Sequence, residues 1–266
     1  MMKKYCGAVF TDIDGTLIDE AQQIFHPTPK VKEAFAKLKE KGFLIGVATG
    51  RARSYIPDLD IDFDCYVSCN GAVAEVNGKE FFNDTIPHDD LKEIMDFMDR
   101  ENIGYVLENT KECLYDKKSY EAVMMILKIF HIDPKIFSPL NSIEGLDVNQ
   151  LLVLFDDEEK YRRLADRFSE KFMIPKHRGG MAADLGKKEI SKASGIRAVL
   201  DALQIDRENT YAFGDQNNDI QMLQEVAHGV AMTPHAESLT WVAEYFTTGV
   251  KYDGIYWGLK HYGLVD

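Results

Sequence analysis

Long apolar runs are absent from this sequence. No stretch reaches the roughly 18 consecutive apolar residues that a membrane-spanning helix needs. The apolar run near the N-terminus is short and stops at Asp12, so it offers neither a signal-peptide core nor a cleavage site. We therefore expect a protein that does not enter a membrane and that resides in the cytoplasm.

Cysteine is also scarce, with 4 residues in 266. The spacing of Cys65 and Cys69 does not fit a zinc pair, and no His pair follows at finger spacing. We expect Cys6, Cys65, Cys69 and Cys113 to be reduced thiols, most of them buried, with a disulfide between two of them as the alternative.

Basic residues are outnumbered by acidic ones. The chain has 31 Lys and Arg against 44 Asp and Glu, which gives a net charge of −13. Nucleic acids and anionic membranes bind clustered Lys and Arg, so we expect neither as a partner. With 45% hydrophobic and 28% charged residues, the composition is that of a globular protein with a sizeable core.

The signature loops of several enzyme classes are missing. The sequence contains neither the P-loop pattern nor Gly-x-Gly-x-x-Gly, so no nucleotide cradle is indicated. It also lacks the Gly-x-Ser-x-Gly elbow of serine hydrolases. An EF-hand loop counted from Asp12 or from Asp215 fails, because Leu17 and Ile220 stand where its sixth-position glycine is needed.

What the sequence does contain is an α/β pattern at both chain ends. Apolar strands are predicted over 6–11 and 44–48, and the helix between them shows apolar residues at helical spacing, namely Val31, Ala34, Phe35 and Leu38. Two buried strands joined by a helix indicate a βαβ unit and a parallel sheet. The βα pattern returns after Gly186.

The middle of the chain has a different pattern. A hairpin is predicted around Asn77-Gly78, followed by mixed helices and short strands, among them a helix over 158–171 and a strand over 173–177. This mixture favours an α+β layer with an antiparallel sheet. The sequence thus predicts an α/β domain built from both ends, with a second domain inserted between them.

Acidic and phosphate-binding residue types follow three of the apolar strands. Asp12 and Asp14 follow the first strand, in Asp-Ile-Asp-Gly-Thr-Leu, and two carboxylates so close suit an acid/base pair or a hard metal ion. An Asp-Gly turn is the alternative. Thr49-Gly50-Arg51 follows the second strand and could hold a phosphate, or Thr49 could cap a helix.

The third turn is Gly-Asp-Gln-Asn-Asn-Asp over 214–219. The oxygens of Asp215 and Asp219 suit Mg²⁺, and the alternative is an Asx turn in which Asp219 caps the following helix. Lys192 begins another predicted helix and would by itself be a solvated charge. One sheet would bring all these turns to a single edge, where open α/β sheets bind ligands.

Together these motifs resemble the haloacid dehalogenase superfamily of phosphotransferases, and most of all its Cof-type sugar phosphatases with a class IIB cap. They span most of the chain in the family's order and spacing. The family more often has Gly-Glu where this chain has Gln216-Asn217, which we expect to affect only the loop surface. The matching residues are Asp12 to Leu17, Ala48 to Arg51, Ser68 to Gly71, Lys192 and Gly214 to Asp219.

The resemblance implies a Rossmann-like parallel-sheet core with an inserted α+β cap. Residues 1–83 and 186–266 would form the catalytic core, and residues 84–185 the cap that sets substrate specificity. No cap motif can be matched residue by residue. Conceivable cap contacts to the substrate are Lys111, His177 and Arg178.

The resemblance also implies a Mg²⁺-dependent phosphatase that hydrolyses a small phosphate ester through an aspartyl-phosphate. Asp12 would be the nucleophile and Asp14 the general acid/base. Thr49 and Lys192 would stabilise the phosphoryl oxygens. The implied metal set is Asp12, Asp14, Asp215 and Asp219, and the implied substrate-binding set is Arg51, Asn70, Gly71 and Asn218.

Other functions remain open at this point. Arg51 and Asn70 could have structural roles instead. A phosphomutase is the alternative among enzymes, and a non-catalytic binding protein on the same fold is the alternative outside them. The sequence names neither the substrate nor the oligomeric state.

Overall fold

The computed structural model describes residues 4–129, 132–177 and 180–266. The chain forms two compact units. The first, called the core unit, comprises Met1–Gly50, Asp58–Phe82 and Ser191–Asp266. The second, called the inserted unit, comprises Arg51–Pro57 and Asn83–Ile190.

The core unit is organised around an eight-stranded sheet. Its strands in chain order are β1 (Gly7–Thr11), β2 (Phe43–Ala48), β3 (Cys65–Ser68), β4 (Val73–Val76), β5 (Lys79–Asn83), and later β12 (Thr210–Gly214), β13 (His228–Ala231) and β14 (Tyr245–Phe246). The spatial order is β14-β13-β12-β1-β2-β3-β4-β5. Pairing is parallel from β14 to β3, and β3 pairs with β4 in antiparallel fashion. The predicted α/β fold with a parallel-sheet core is confirmed.

The strands at the centre of this sheet are mostly apolar because both of their faces are buried. Every residue of β1 is buried. Helix α1 (Pro29–Glu40) begins after the cap Thr28 and buries the four predicted positions Val31, Ala34, Phe35 and Leu38. The remaining helices of the core unit are α5 (Lys192–Leu203), α6 (Ile220–Glu225) and α7 (Gly254–His261).

The inserted unit contains a six-stranded sheet with helices packed on it. Its strands are β6 (Gly104–Glu108), β7 (Cys113–Tyr115), β8 (Phe137–Pro139), β9 (Gln150–Leu154), β10 (Phe172–Met173) and β11 (Ala182–Lys187), and its helices are α2 (His88–Arg100), α3 (Tyr120–Ile129) and α4 (Glu158–Phe168). The order is β10-β11-β9-β6-β7-β8. The sheet is antiparallel except for the β7–β8 pair.

Three details of the inserted unit differ from the sequence prediction. The strand predicted over 173–177 is wrong, since β10 ends at Met173 and only a single bridge joins Lys176 to Ala183. Pro175 lies in this segment and has no N–H to donate to a sheet. The helix predicted to Lys171 ends at Phe168. Strand β11 was not predicted, because Asp184 and Gly186 break its apolar pattern.

The residue ranges of the two units also differ from the predicted domain boundaries. The prediction assigned residues 51–57 to the core, whereas they pack with the inserted unit. Residues 186–190 do the same, because β11 runs on to Lys187 and pairs there with Phe172. Neither change can be found in composition, since both depend on contacts with strands distant in sequence.

The four cysteines form no disulfide, as predicted, and Cys6 is exposed while the other three are buried. No helix in the described part of the chain is both long and apolar enough to cross a membrane.

Substituting Gly71 tests how tightly the turn after β3 packs against the start of α5. Its φ is +100°, and a Cβ there would lie 1.8 Å from the backbone oxygen of Ser191. Gly78 has a φ of +72° with open space around it. Both Gly→Ala changes add about 1–2 kcal/mol of left-handed strain, and only Gly71→Ala adds a backbone clash. We expect Gly71→Ala to lower the free energy of unfolding by at least ~2 kcal/mol more than Gly78→Ala, as measured by urea unfolding. Equal losses would contradict this packing.

Candidate active site

Neighbouring parallel strands bring Asp12 and Asp215 to the same edge of the core sheet. Strands β1 and β12 pair in register, with Thr11 opposite Phe213, and the two aspartates follow at their carboxyl ends. The Asp12 N–H donates to the Phe213 carbonyl oxygen at 2.9 Å. Both side chains are buried, with Asp12 5% and Asp215 4% exposed.

The turn after β1 folds tightly against Asp215. The carbonyl oxygen of Ile13 accepts the N–H groups of Leu17 and Ile18 at 2.9 and 3.0 Å. Gly15 has a φ of +83°, and a Cβ there would lie 2.3 Å from Asp215 Oδ2. Any other residue at Gly15 would therefore collide with this carboxylate.

A buried lysine links two of the carboxylates. Lys192 is the first residue of α5 and is fully buried. Its Nζ lies 2.8 Å from Asp12 Oδ1 and 2.7 Å from Asp219 Oδ1. The ammonium thus has two charged partners inside the protein, which explains how a lysine can be buried here. The simple interpretation of Lys192 as a solvated charge is wrong.

Asp219 holds the loop after β12 in place. Its Oδ2 accepts the N–H groups of Asp215 and Gln216 at 2.8 and 2.9 Å. A Cβ at Gly214 would lie 2.5 Å from Asp219 Cγ, so this approach needs glycine. Because both oxygens of Asp219 already have close partners, Asp219 suits a supporting role beside Asp12 and Asp215.

Asp215 is oriented by two donors. Thr16 Oγ1 donates to its Oδ1 at 3.1 Å, and Gln216 Nε2 donates to its Oδ2 at 2.6 Å. Both residues lie within motifs that the sequence shows, but no role was predicted for either of them. The signal was available for Thr16, since a hydroxyl two residues after Asp14 can reach across a tight turn.

The pKa values in this cluster are shifted because several carboxylates lie close together and are shielded from water. Burial raises the pKa of the Asp12 carboxyl well above its usual range; Lys192 opposes the shift and Asp219 reinforces it. Burial, with the Asp219 charge, also raises the pKa of Asp215 to about 6. Burial lowers the pKa of Lys192, but its two ion pairs outweigh that effect and raise it overall.

This donor set fits a hard divalent cation. Asp12, Asp215 and Asp219 each offer an oxygen, and these oxygens lie within 4.8 Å of one another. When all three are ionised, Lys192 compensates only one of the three negative charges. A dication would balance the rest, and carboxylate oxygens are the ligands that Mg²⁺ prefers.

The turn after β3 lies beside the same edge. Thr49 is buried, and its carbonyl oxygen accepts the Asn70 N–H at 3.0 Å. Asn218 Nδ2 donates to Asn70 Oδ1 at 3.1 Å, so the loops after β3 and β12 are joined. Cys69, Asn70 and Gly71 all have positive φ values. Gly71 packs against the start of α5, which accounts for a glycine at this position.

The remaining predicted residues have diverse locations. Asp14 is half-buried and its backbone bridges to Ile18. Arg51 is buried and belongs to the inserted unit. In that unit Lys111 is exposed, and His177 Nε2 lies 2.8 Å from Asp184 Oδ1. Arg178 lies outside the described residues.

The inserted unit holds a buried carboxyl group that the sequence analysis did not single out. Glu108 ends β6 and is 1% exposed. Its Oε1 accepts the Tyr55 hydroxyl at 3.0 Å, and its Oε2 accepts Gln150 Nε2 at 2.6 Å. Burial, with the Asp184 charge, raises the pKa of Glu108 to about 8. No local pattern distinguishes this glutamate from the many exposed ones.

Comparison with known proteins identifies the family. Residues 9–259 match the model of the haloacid dehalogenase-like hydrolases. The chain belongs to this family. It is therefore a hydrolase, as the sequence analysis predicted.

The chain aligns with two phosphatase-named relatives over nearly its full length. It is 27% identical over 263 residues to the putative phosphatase YkrA of Bacillus subtilis (strain 168), covering 97% of this chain and 98% of that protein. It is 24% identical to the 5-amino-6-(5-phospho-D-ribitylamino)uracil phosphatase YitU of the same organism, covering 94% and 95%.

Solved structures of the family share the fold. BT4131, a sugar phosphatase of subclass IIB, superposes with a TM-score of 0.83 at 27% identity, covering 97% of this chain and 100% of that one. BT1666 of Bacteroides thetaiotaomicron, a phosphatase of the same superfamily, also gives 0.83, at 26% identity, covering 98% and 96%. The resemblance to subclass IIB sugar phosphatases is thereby confirmed at the level of the family and the fold.

A thermal shift tests the divalent site without an activity assay. If the cluster holds Mg²⁺, the ion at about 100 times its Kd would stabilise the folded protein by about 2.7 kcal/mol, which would raise Tm by several degrees. We expect Asp215→Asn to lose most of this shift. Asp201→Asn, which removes an exposed carboxylate from α5, should retain it. An equal shift in both variants, or none in the wild type, would contradict the site.

The buried Glu108 makes stability depend on pH. Its folded pKa of about 8 exceeds the ordinary value of 4.5, so the folded state holds the proton more tightly than the unfolded state. Stability therefore falls as pH rises from 4.5 towards 8, by about 1.4 kcal/mol per unit. Between pH 6 and pH 8, the free energy of unfolding of Glu108→Gln should fall by about 2–3 kcal/mol less than that of wild type, as measured by urea unfolding. Glu112→Gln, at an exposed site, should follow wild type. Parallel curves for all three proteins would refute the assignment.

Proposed function

We propose that this hydrolase is a Mg²⁺-dependent phosphatase that acts on small phosphorylated metabolites of the sugar-phosphate type through an aspartyl-phosphate. The observation that carries the proposal is the cluster of Asp12, Lys192, Asp219 and Asp215 at one edge of the core sheet. A single ammonium and several carboxylates in a buried site suit a reaction in which negative charge must be both held and transferred.

Asp12 is the nucleophile in this proposal. The ion pair with Lys192 orients its carboxylate, and the hydrogen bond from its N–H to Phe213 fixes its backbone. Its oxygen attacks phosphorus, the bond to the leaving oxygen breaks, and the phosphoryl group passes to Asp12. Water then attacks the aspartyl-phosphate, which releases phosphate and restores the carboxylate.

Asp14 moves the protons. It protonates the leaving oxygen in the first step and then accepts a proton from the attacking water in the second. Its half-buried position two residues after Asp12 leaves it partly in contact with solvent. This is what a group that exchanges protons with water in each cycle requires.

The phosphoryl oxygens are held by groups of the core unit. The Lys192 ammonium is fixed by Asp12 and Asp219, so it stabilises negative charge without having to reorganise. Thr49 supplies a hydroxyl and Asn218 an amide from the two loops joined through Asn70.

Mg²⁺ would be held by Asp12, Asp215 and the main-chain carbonyl of Asp14, with Asp219 as the supporting carboxylate. When bound, it supplies the positive charge that lets an anionic carboxylate approach an anionic phosphate. Thr16 and Gln216 keep Asp215 in position for this role.

The substrate beyond its phosphate is bound by Arg51 and Asn70, with Gly71 shaping the turn that carries Asn70. The inserted unit acts as the cap, and its residues set specificity. A sugar-phosphate substrate is supported by the similarity to BT4131, a sugar phosphatase, at 27% identity. We place the enzyme in the cytoplasm, which its cysteines without a disulfide favour.

Replacing the nucleophile tests the mechanism. Asp12→Asn keeps the side-chain volume but removes the attacking carboxylate, so we expect phosphate release to fall at least ~10³-fold. The assay measures phosphate release from a panel of sugar phosphates, with and without Mg²⁺. Asp201→Asn should retain wild-type rates. Equal release by wild type and Asp12→Asn, or none by either across the panel, would defeat the proposal.

A further inference from the structure

A seven-residue segment interrupts the core unit and packs with the inserted unit. Arg51–Pro57 belongs to the inserted unit, although Met1–Gly50 and Asp58–Phe82 on either side belong to the core unit. The segment begins directly after Thr49-Gly50, the turn proposed to bind phosphate. The inserted unit therefore holds the residues that continue this turn.

The surface that receives the segment is a row of side chains across four strands. In the register of the inserted sheet, Glu108 lies opposite Gln150 on one side and Cys113 on the other, and Cys113 lies opposite Phe137. Residues paired across strands share one face of a sheet. All four are at least 92% buried. The opposite face, which includes Leu107 and Leu151, belongs to the apolar core of the inserted unit.

The segment contacts this row at three points. The Tyr55 hydroxyl donates to Glu108 Oε1 at 3.0 Å. The Tyr55 ring lies 5.7 Å from that of Phe137, and Ser54 Oγ lies 3.3 Å from Cys113 Sγ. One hydrogen bond, one ring contact and one hydroxyl–thiol contact thus fix two consecutive residues of the segment.

Glu108 is the part of this row that a purely structural role explains least well. A buried carboxyl group is costly, and an apolar residue would pack against Tyr55 without that cost. Because its pKa is raised to about 8 by burial, Glu108 carries a proton at neutral pH. It is then an uncharged hydrogen-bond partner held between Tyr55 and Gln150, and its position fixes where the Tyr55 hydroxyl lies.

We propose that Tyr55 and Glu108 are positioning residues for substrate binding: their hydrogen bond anchors Arg51–Pro57 to the inserted unit and thereby sets the direction of the Arg51 guanidinium. The inference rests on the proposed function, in which Arg51 binds the phosphate ester beyond its phosphate. If the segment were loosened, it would have to be ordered when the ester binds. Its lost conformational entropy would then weaken binding. The chemistry at Asp12 would be unchanged.

The kinetic consequence is a change in KM rather than in kcat. With a sugar phosphate that the wild type hydrolyses as the probe, we expect Tyr55→Phe to raise KM about tenfold, the loss of one hydrogen bond, with kcat within about twofold of wild type. Tyr161→Phe is the matched control. It removes a hydroxyl that donates to the Ile174 carbonyl oxygen at 2.9 Å in the same unit, and it should leave both constants unchanged.

A double-mutant cycle separates positioning from general damage. If Tyr55 acts through Arg51, the variant Tyr55→Phe/Arg51→Ala should have the same KM as Arg51→Ala alone. Additive increases would mean that Tyr55 acts by another route and would overturn the inference. Glu108→Gln should keep the wild-type KM, because its amide oxygen can still accept a hydrogen bond from the Tyr55 hydroxyl. Glu108→Ala removes this acceptor and should raise KM.

The outcomes distinguish this inference from the proposed function. Wild-type release of phosphate with an unchanged KM in Tyr55→Phe overturns the inference alone. Absence of Mg²⁺-dependent release by the wild type overturns the proposed function and the inference with it. If Tyr55→Phe unfolds, Glu108→Gln and Glu108→Ala still decide, since equal KM values in these two variants contradict the anchoring role.

Discussion

The site depends on one ammonium group that two carboxylates share out of contact with water. Lys192 lies within 2.8 Å of both Asp12 and Asp219, and it is fully buried. Removing either carboxylate would leave the ammonium poorly compensated, and removing the ammonium would leave several acids facing one another. This mutual requirement fixes three distant parts of the chain. It also leaves a surplus of negative charge, which a divalent cation would balance.

The backbone is built so that these groups can approach one another. Gly15 and Gly214 leave the space that the carboxylates of Asp215 and Asp219 occupy. Gly71 lets the turn after β3 meet the first residues of α5, where Lys192 begins the helix. The parallel order of β12, β1, β2 and β3 places all the turns at one edge. The charged cluster is therefore a consequence of sheet topology together with a few positions that lack a side chain.

Much of this could be predicted from the sequence because the strands are apolar and the turns are short. The burial of β1 and the amphipathic pattern of α1 are local properties, and parallel pairing follows from the helix between β1 and β2. The partners of Lys192 could not be predicted from spacing, since Asp12 lies 180 positions away in the chain. The role of Asp219 was also out of reach, because its bonds to the N–H groups of Asp215 and Gln216 depend on the loop's conformation. Residues 51–57 carry no signal of their own, and their place is decided by Tyr55 and Ser54 meeting β6 and β7.

Asp12 takes part covalently in the proposed reaction, and every other role in the site depends on that step. The most direct test is to quench wild-type enzyme with acid during the first turnover of a sugar phosphate in the presence of Mg²⁺ and to locate the phosphoryl group by peptide mass spectrometry. We expect a phosphoryl group on the peptide that contains Asp12, and we expect it to be absent when Mg²⁺ is removed with a chelator. If phosphate is released while the phosphoryl group is found on another residue, or on no peptide at all, Asp12 is not the nucleophile.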